Sequence, residues 1–183
     1  MTSIDSAHFV PLTAFYDEAT MEMPQPWVID GDTMPEPYRS LLVNNGDMTP
    51  TLEKYHKAKL HLKVLGRSQL GQAYRRQVLL LDPQERPVEF GAIRIHLDVL
   101  LPEAQRQVLA GYRPLGGVLI EHSVKHTSKP SVYFAITGDD LINNALGVKH
   151  PCTLYGRCNT LTGENGRVIA EVVEVLPPHN RIN

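Results

Sequence analysis

Residues 57–64 alternate without a break: Lys57, Lys59, His61 and Lys63 are polar, and Ala58, Leu60, Leu62 and Val64 are apolar. A period of two belongs to a strand with one wet face and one buried face, the arrangement of antiparallel sheets. Segments 58–65, 74–81, 88–97, 131–137, 153–162 and 167–176 all read as strands. Two connections are rich in turn formers, Asp82-Pro83-Gln84-Glu85-Arg86-Pro87 and Thr162-Gly163-Glu164-Asn165-Gly166, so both predict hairpins. Pro35 to Leu42 predicts a short helix with its prolines in the first turn, and Asp47 is placed to cap another that contains Leu52 and Tyr55. Pro102 to Leu109 predicts a helix ended by Gly111, and a short one follows Pro114 through Leu119 and Ile120. Helices that precede and interrupt a run of strands specify an α+β fold with a mainly antiparallel sheet, not an alternating parallel one.

With 183 residues, 42% hydrophobic and 21% charged, the chain has the length and composition of one globular domain. Residues 1–45 are expected to form an N-terminal arm packed on a domain of residues 46–183. Pro11, Pro24, Pro26 and Pro35 interrupt any periodicity there, and Phe9, Phe15, Trp27 and Val28 offer isolated anchors. A formal charge of −2 and no long basic run point away from nucleic acid. No apolar stretch is long enough to span a bilayer, which needs roughly 20 residues. Met1-Thr2-Ser3-Ile4-Asp5 has no basic region leading into an apolar core, so no signal peptide is expected and the location is taken as cytoplasmic. Cys152 and Cys158 are then free thiols, with a spacing that fits no zinc motif. His122 and His126 lie four apart but without a third ligand nearby in sequence, so no metal site is expected.

Two strands carry charges inside otherwise apolar runs: Tyr74-Arg75-Arg76-Gln77-Val78-Leu79-Leu80 and Arg167-Val168-Ile169-Ala170-Glu171-Val172-Val173. An isolated buried charge costs several kcal/mol, so such a residue is paired, hydrogen-bonded or turned toward a ligand. Neighbouring side chains on a strand point to opposite faces. Arg76 therefore shares its face with Tyr74, Val78 and Leu80, the more apolar company, and Arg75 takes the other. Glu171 and Glu174 also face opposite ways, and parity does not choose between them. A structural ion pair of Arg76 with Glu171 is the plain alternative to a pocket for a small carboxylate. Arg94 and His96 share one strand face, as a second polar lining or a solvated surface. Gly116 and Gly117, at a helix start, would offer backbone N–H groups to an anion.

Taken together, Asp47-Met48-Thr49-Pro50-Thr51-Leu52-Glu53, Arg76-Gln77-Val78-Leu79-Leu80, Pro114-Leu115-Gly116 and Leu154-Tyr155-Gly156-Arg157, followed by the hairpin returning through Glu171, resemble the chorismate pyruvate-lyase family. Tyr155 stands where the family has tryptophan, and Ala92 follows Gly91 where several bacterial lyases have arginine. The likeness runs from Met48 to Pro177. It implies a six-stranded, mainly antiparallel sheet with helical flaps enclosing a ligand cavity. It also implies that Arg76 and the Leu115 N–H bind a ring carboxylate, that Met48 packs on the ring, and that Glu171 stands near the departing enolpyruvyl oxygen. Gly91, Arg94 and Tyr155 complete the implied binding surface. The implied reaction, pyruvate elimination from chorismate to give 4-hydroxybenzoate, uses no cofactor.

Three functions follow: that lyase, another enzyme on the same scaffold acting on a different aromatic or polyketide-like carboxylate, and a non-catalytic carboxylate-binding module. Each takes a small-molecule carboxylate as partner, with neither nucleic acid nor membrane. Effector domains of some transcription regulators resemble this fold. They normally follow a winged helix, which residues 1–45 are too short and proline-rich to supply.

Overall fold

The computed structural model describes residues 6–179; residues 1–5, on which the signal-peptide expectation rests, lie outside them. The strands are β1 (Trp27–Val28), β2 (His61–Leu70), β3 (Ala73–Leu81), β4 (Pro87–His96), β5 (His126–Thr137), β6 (Thr153–Gly163) and β7 (Val168–Leu176). They form one sheet in the order β1-β5-β6-β7-β4-β3-β2, with every neighbouring pair antiparallel. The α+β class read from the sequence is the observed one. The sheet has seven strands rather than six, because Trp27–Val28 adds to the edge beside Ala135 and Phe134. Strand β2 continues past the expected stop at residue 65 through an irregularity between Val64 and Gly66, then turns at Gly71, whose φ of 59° suits glycine.

Helices cover both faces. On one face lie α1 (Val10–Glu18) and α6 (Asp140–Leu146). Neither was expected from the sequence. Pro11 sits in the first turn of α1, where the missing N–H is not needed, so it starts a helix instead of breaking one. Asp139 caps α6 by accepting from the Ile142 N–H, and Gly147 ends it with a φ of 66°. Phe9, Leu12, Phe15 and Tyr16, with Ile142 and Leu146, cover Leu79, Phe90, Ala92, Val173 and Val175 of the sheet. The Phe9 and Phe134 rings meet edge to face at 4.9 Å, and the Tyr16 hydroxyl donates to Asp139 at 2.9 Å, tying α1 to the cap of α6.

The opposite face carries α2 (Tyr38–Leu42), α3 (Met48–His56), α4 (Pro102–Ala110) and α5 (Leu115–Glu121). Helix α4 has Pro102 in its first turn and Gly111 at its C-cap with a φ of 74°, as the sequence predicts. Ala104, Val108, Leu115, Val118 and Leu119 pack on Ile93, Ile95 and Leu161, while Leu42, Met48 and Leu52 pack near Leu80 and Leu176. These are two separate clusters. The helical layer on this face therefore has a seam, with α3 on one side and α5 on the other. No helix among the described residues is long and apolar enough to cross a membrane.

Gly156 shows how tightly the first face is packed. A Cβ there would lie 2.3 Å from the Glu174 carbonyl oxygen and 2.5 Å from the Phe134 ring. Backbone cannot yield cheaply, so Gly156→Ala is expected to destabilise the protein by about 3 kcal/mol, at or above the upper end of ordinary overpacking. Urea unfolding of the variant and the parent measures this; an unchanged midpoint would contradict the packing described.

Candidate functional site

The seam opens over a patch of sheet whose floor follows from strand register. Cross-strand partners share a face, so Arg76, Ile93, Val172 and Asn159 form one row across β3, β4, β7 and β6. Val78, Gly91, Glu174 and Arg157 form the next row, and Leu80 and Glu89 begin a third. Gly91 leaves a dimple in the middle: a Cβ there would come within 3.1 Å of the Val78 side chain and 3.5 Å of Glu89 Oε1. Above the dimple is a cavity of about 80 Å³ roofed by Asp47, Met48 and Thr49 from the start of α3 and by Pro114, Leu115 and Gly116 from the start of α5. A wider depression of about 350 Å³, bordered by Glu53, Lys59, Tyr112, Arg113 and Ile120, shares Asp47, Thr49, Pro114 and Gly116 with it.

Four charged or ionisable side chains are buried on this floor: Arg76, Glu89, Arg157 and Glu174. Arg157 donates through Nε to Glu174 at 2.5 Å, and through its terminal nitrogens to the carbonyl oxygens of Leu42, Asn44 and Gly46 at 3.2, 2.9 and 2.9 Å. Each of its three nitrogens has a partner, and it pins the segment between α2 and α3. Arg76 is different. Its terminal nitrogens donate at 3.4 Å to the Val108 carbonyl and 3.3 Å to the Arg113 carbonyl, and its buried Nε has no partner. Among the described residues it forms no ion pair, and burial pulls its guanidinium below the ordinary value. Glu89 has an unpaired Oε2. Burial first, then repulsion from Glu174, push its carboxyl well above the usual carboxylate range, against a smaller opposing pull from Arg157. With Glu89 neutral, Arg157 and Glu174 cancel and Arg76 leaves one positive charge unmatched.

Asn159 adds a third unpaired polar atom. Its amide nitrogen donates to Ser128 at 2.8 Å, leaving Oδ1 buried and unsatisfied. At the rim, Asp47 holds the N-cap position of α3, as the sequence predicts, but its side chain makes no cap bond. It meets His126 Nε2 at 2.9 Å instead, tying the roof to β5.

Of the residues singled out in the sequence, Arg76, Met48, Gly91 and Leu115 line the cavity together. Glu171, Arg94 and Tyr155 do not. Glu171 pairs in register with Arg94 and belongs to the row on the opposite face, so the sheet itself separates it from Arg76. There it accepts from Arg94 at 2.7 and 3.0 Å and meets His96 Nε2 at 3.0 Å. Burial raises its carboxyl, but Arg94 and His96 outweigh that and hold it below the usual range. The acid facing the cavity from β7 is Glu174. Tyr155 stacks at a tilt on Tyr38, with ring centroids 4.6 Å apart. His122 ends α5 while His126 lies on β5, which parts that pair. Glu89, Asn159 and Arg157 were missed as site residues. Glu89 carried the same signal as Arg76, a charge inside the apolar run Val88-Glu89-Phe90.

The state of Glu89 has a consequence for stability. In the unfolded chain a glutamate ionises near pH 4.3; in the fold Glu89 keeps its proton to higher pH. Between those two values the folded state binds the extra proton, so this group's contribution falls as pH rises through that window and then levels off. Glu89→Gln removes the slope. The variant is expected to gain stability relative to the parent as pH rises above about 4, read from denaturant midpoints across the pH range. Parallel curves would mean that Glu89 ionises normally in the fold.

No protein-family model matches the chain, and no curated protein does. Solved structures do resemble it. PhnF from Mycobacterium smegmatis superposes with a TM-score of 0.61 at 9% identity, over 95% of this chain and 96% of that one. The effector domain of PhnF gives 0.58 at 9% identity, over 76% and 93%. The ligand-binding domain of a candidate GntR-family transcriptional regulator from Bordetella bronchiseptica gives 0.50 at 13% identity, over 66% and 86%. At such identities the likeness is one of fold: this chain has the antiparallel sheet and helical layers of those effector and ligand-binding domains.

Proposed function

We propose that the protein is a ligand-binding domain that holds a small organic acid in the cavity over Gly91, with Arg76 as the anion anchor. The observation that carries this reading is the Arg76 guanidinium, 1% exposed, with an unpaired Nε and no ion-pair partner among the described residues. Leaving a buried cation unmatched costs several kcal/mol, and a ligand carboxylate would remove that cost through charge-assisted hydrogen bonds. Val78, Ile93, Leu161 and Val172 provide an apolar body for the pocket, so the ligand is an acid with a compact carbon frame. The fold supports the same reading, since its structural relatives include domains named for effector and ligand binding.

Catalysis is the second reading. A carboxyl raised above the usual carboxylate range, as that of Glu89 is, is the kind of group that could protonate a departing enolpyruvyl oxygen, and Met48, Arg76 and Leu115 converge on the same cavity. In this reading the acid expected at Glu171 would be supplied by Glu89 or Glu174. Size favours simple binding. A cavity that accepts benzene measures about 150 Å³, whereas this one is about 80 Å³. An aromatic acid, or chorismate, would therefore require α3 and α5 to part.

Calorimetric titration with two- to four-carbon monocarboxylates, and with 4-hydroxybenzoate, tests the reading. Binding is expected in the parent. Arg76→Met is expected to lose about 2–4 kcal/mol of it, because the ligand carboxylate would be left unpaired in a desolvated site. Binding that survives unchanged in Arg76→Met would overturn the anchor. Incubation with chorismate is expected to release no pyruvate above the spontaneous rate; enzyme-dependent release would favour the lyase instead.

A further inference from the structure

The two ends of the cavity differ in kind. The Arg76 end offers N–H donors and positive charge. Over Gly91 and toward β7 the cavity offers acceptors: the carboxyl of Glu89 from β4, whose Oε1 lies 3.5 Å from where a Gly91 Cβ would stand, and the Glu174 carboxylate from β7, opposite Gly91 in register; the unpaired Oδ1 of Asn159 on β6 lies in the row of Arg76. Glu89 and Asn159 are buried to 5% and 3% exposure, so water does not satisfy them from outside. The strands bearing Arg76 and Glu174 flank β4, so they lie roughly 10 Å apart, and both side chains line the cavity over Gly91. Resting on the reading of Arg76 as anion anchor, we propose that the ligand is a compact amino acid, with its carboxylate on Arg76 and its ammonium group held by Glu89 and Glu174.

The chemistry separates an ammonium from a hydroxyl. Burial first, then repulsion between the two carboxyl groups, raises the carboxyl of Glu89. An ammonium group placed between them reverses that balance: Glu89 gives up its proton, and the ligand cation forms charge-assisted bonds to both. The charges that bear on Glu89 are Glu174 from β7 and Arg157 from β6, and the latter is already committed to Glu174 and three carbonyls. Strand β3 brings only Val78 and Leu80 to this part of the floor. With Glu89 ionised, Arg76 and Arg157 balance Glu89 and Glu174, and a zwitterion adds no net charge. A hydroxyl could satisfy Asn159 but would leave the paired acids as they are. The volume of about 80 Å³ restricts the frame to a few carbons.

Matched probes test this: glycine and 3-aminopropanoate, each against its hydroxy acid and its unsubstituted acid, titrated into the full chain. The amino acids are expected to bind at least about 10-fold tighter than either partner, the fold-change of one charge-assisted bond. Glu89→Gln is expected to erase that preference, read within the variant as the ratio of amino-acid affinity to that of the unsubstituted acid. A preference retained in Glu89→Gln would overturn the proposal. So would hydroxy or plain acids binding as tightly as amino acids; if that binding still vanished in Arg76→Met, the anion anchor would stand and only the ammonium site would fall. If no probe bound, both readings would fall together.

Discussion

The ion pair between Arg157 and Glu174 organises the cavity face. Arg157 is fully buried, and only a partner at 2.5 Å together with three backbone carbonyls makes its charge tolerable there. Those carbonyls belong to the segment joining α2 to α3, so one side chain rising from β6 fixes where α3 begins. Asp47, Met48 and Thr49 at that start form half of the cavity roof. Breaking a buried pair typically costs about 3–5 kcal/mol, because the surviving charge has nowhere to go. The same pair also sets the chemistry of the floor. One oxygen of Glu174 accepts from Arg157, and its charge adds to the burial that raises the Glu89 carboxyl.

This leaves the two arginines of the floor in opposite states. Arg157 satisfies its donors within the protein and acts as a strut. Arg76 is equally buried, yet it meets two carbonyls at long range and no carboxylate among the described residues. Those carbonyls, Val108 and Arg113, end α4 and lead into α5, so Arg76 also helps to place the other half of the roof. A ligand bound at Arg76 would thus touch the residue that locates α5, on the far side of the seam from the Arg157 strut. The cavity lies where the two supports leave a gap.

Strand alternation, the Asp82–Pro87 and Thr162–Gly166 turns, and the Pro102 and Gly111 stops made most of the sheet and the α4–α5 insertion legible, because each is a local property of a few residues. Helices α1 and α6 were not legible. Their apolar residues are sparse, and what holds them is burial against Leu79, Phe90 and Val173, residues distant in sequence. Phe9 and Phe15 were legible as anchors of an arm, but not as parts of a helix that shares this face with α6. The Glu171–Arg94–His96 group on that face shows the limit in another way: a charge in an apolar strand announces burial or pairing, but not with whom.

The sequence by itself determined which residues are exceptional. Parity put Arg76 with Tyr74, Val78 and Leu80, and Glu171 and Glu174 on opposite faces. Only the tertiary structure decided which glutamate shares a face with Arg76. That depends on register between strands far apart in sequence: Ile93 opposite Val172 places Glu174, not Glu171, beside Gly91. A shift of one residue in that pairing would exchange the two glutamates, because side chains alternate with a period of two. The unpaired polar atoms of Arg76, Glu89 and Asn159 are likewise invisible in any one segment. They acquire meaning when β3, β4 and β6 bring them to the lining of one cavity.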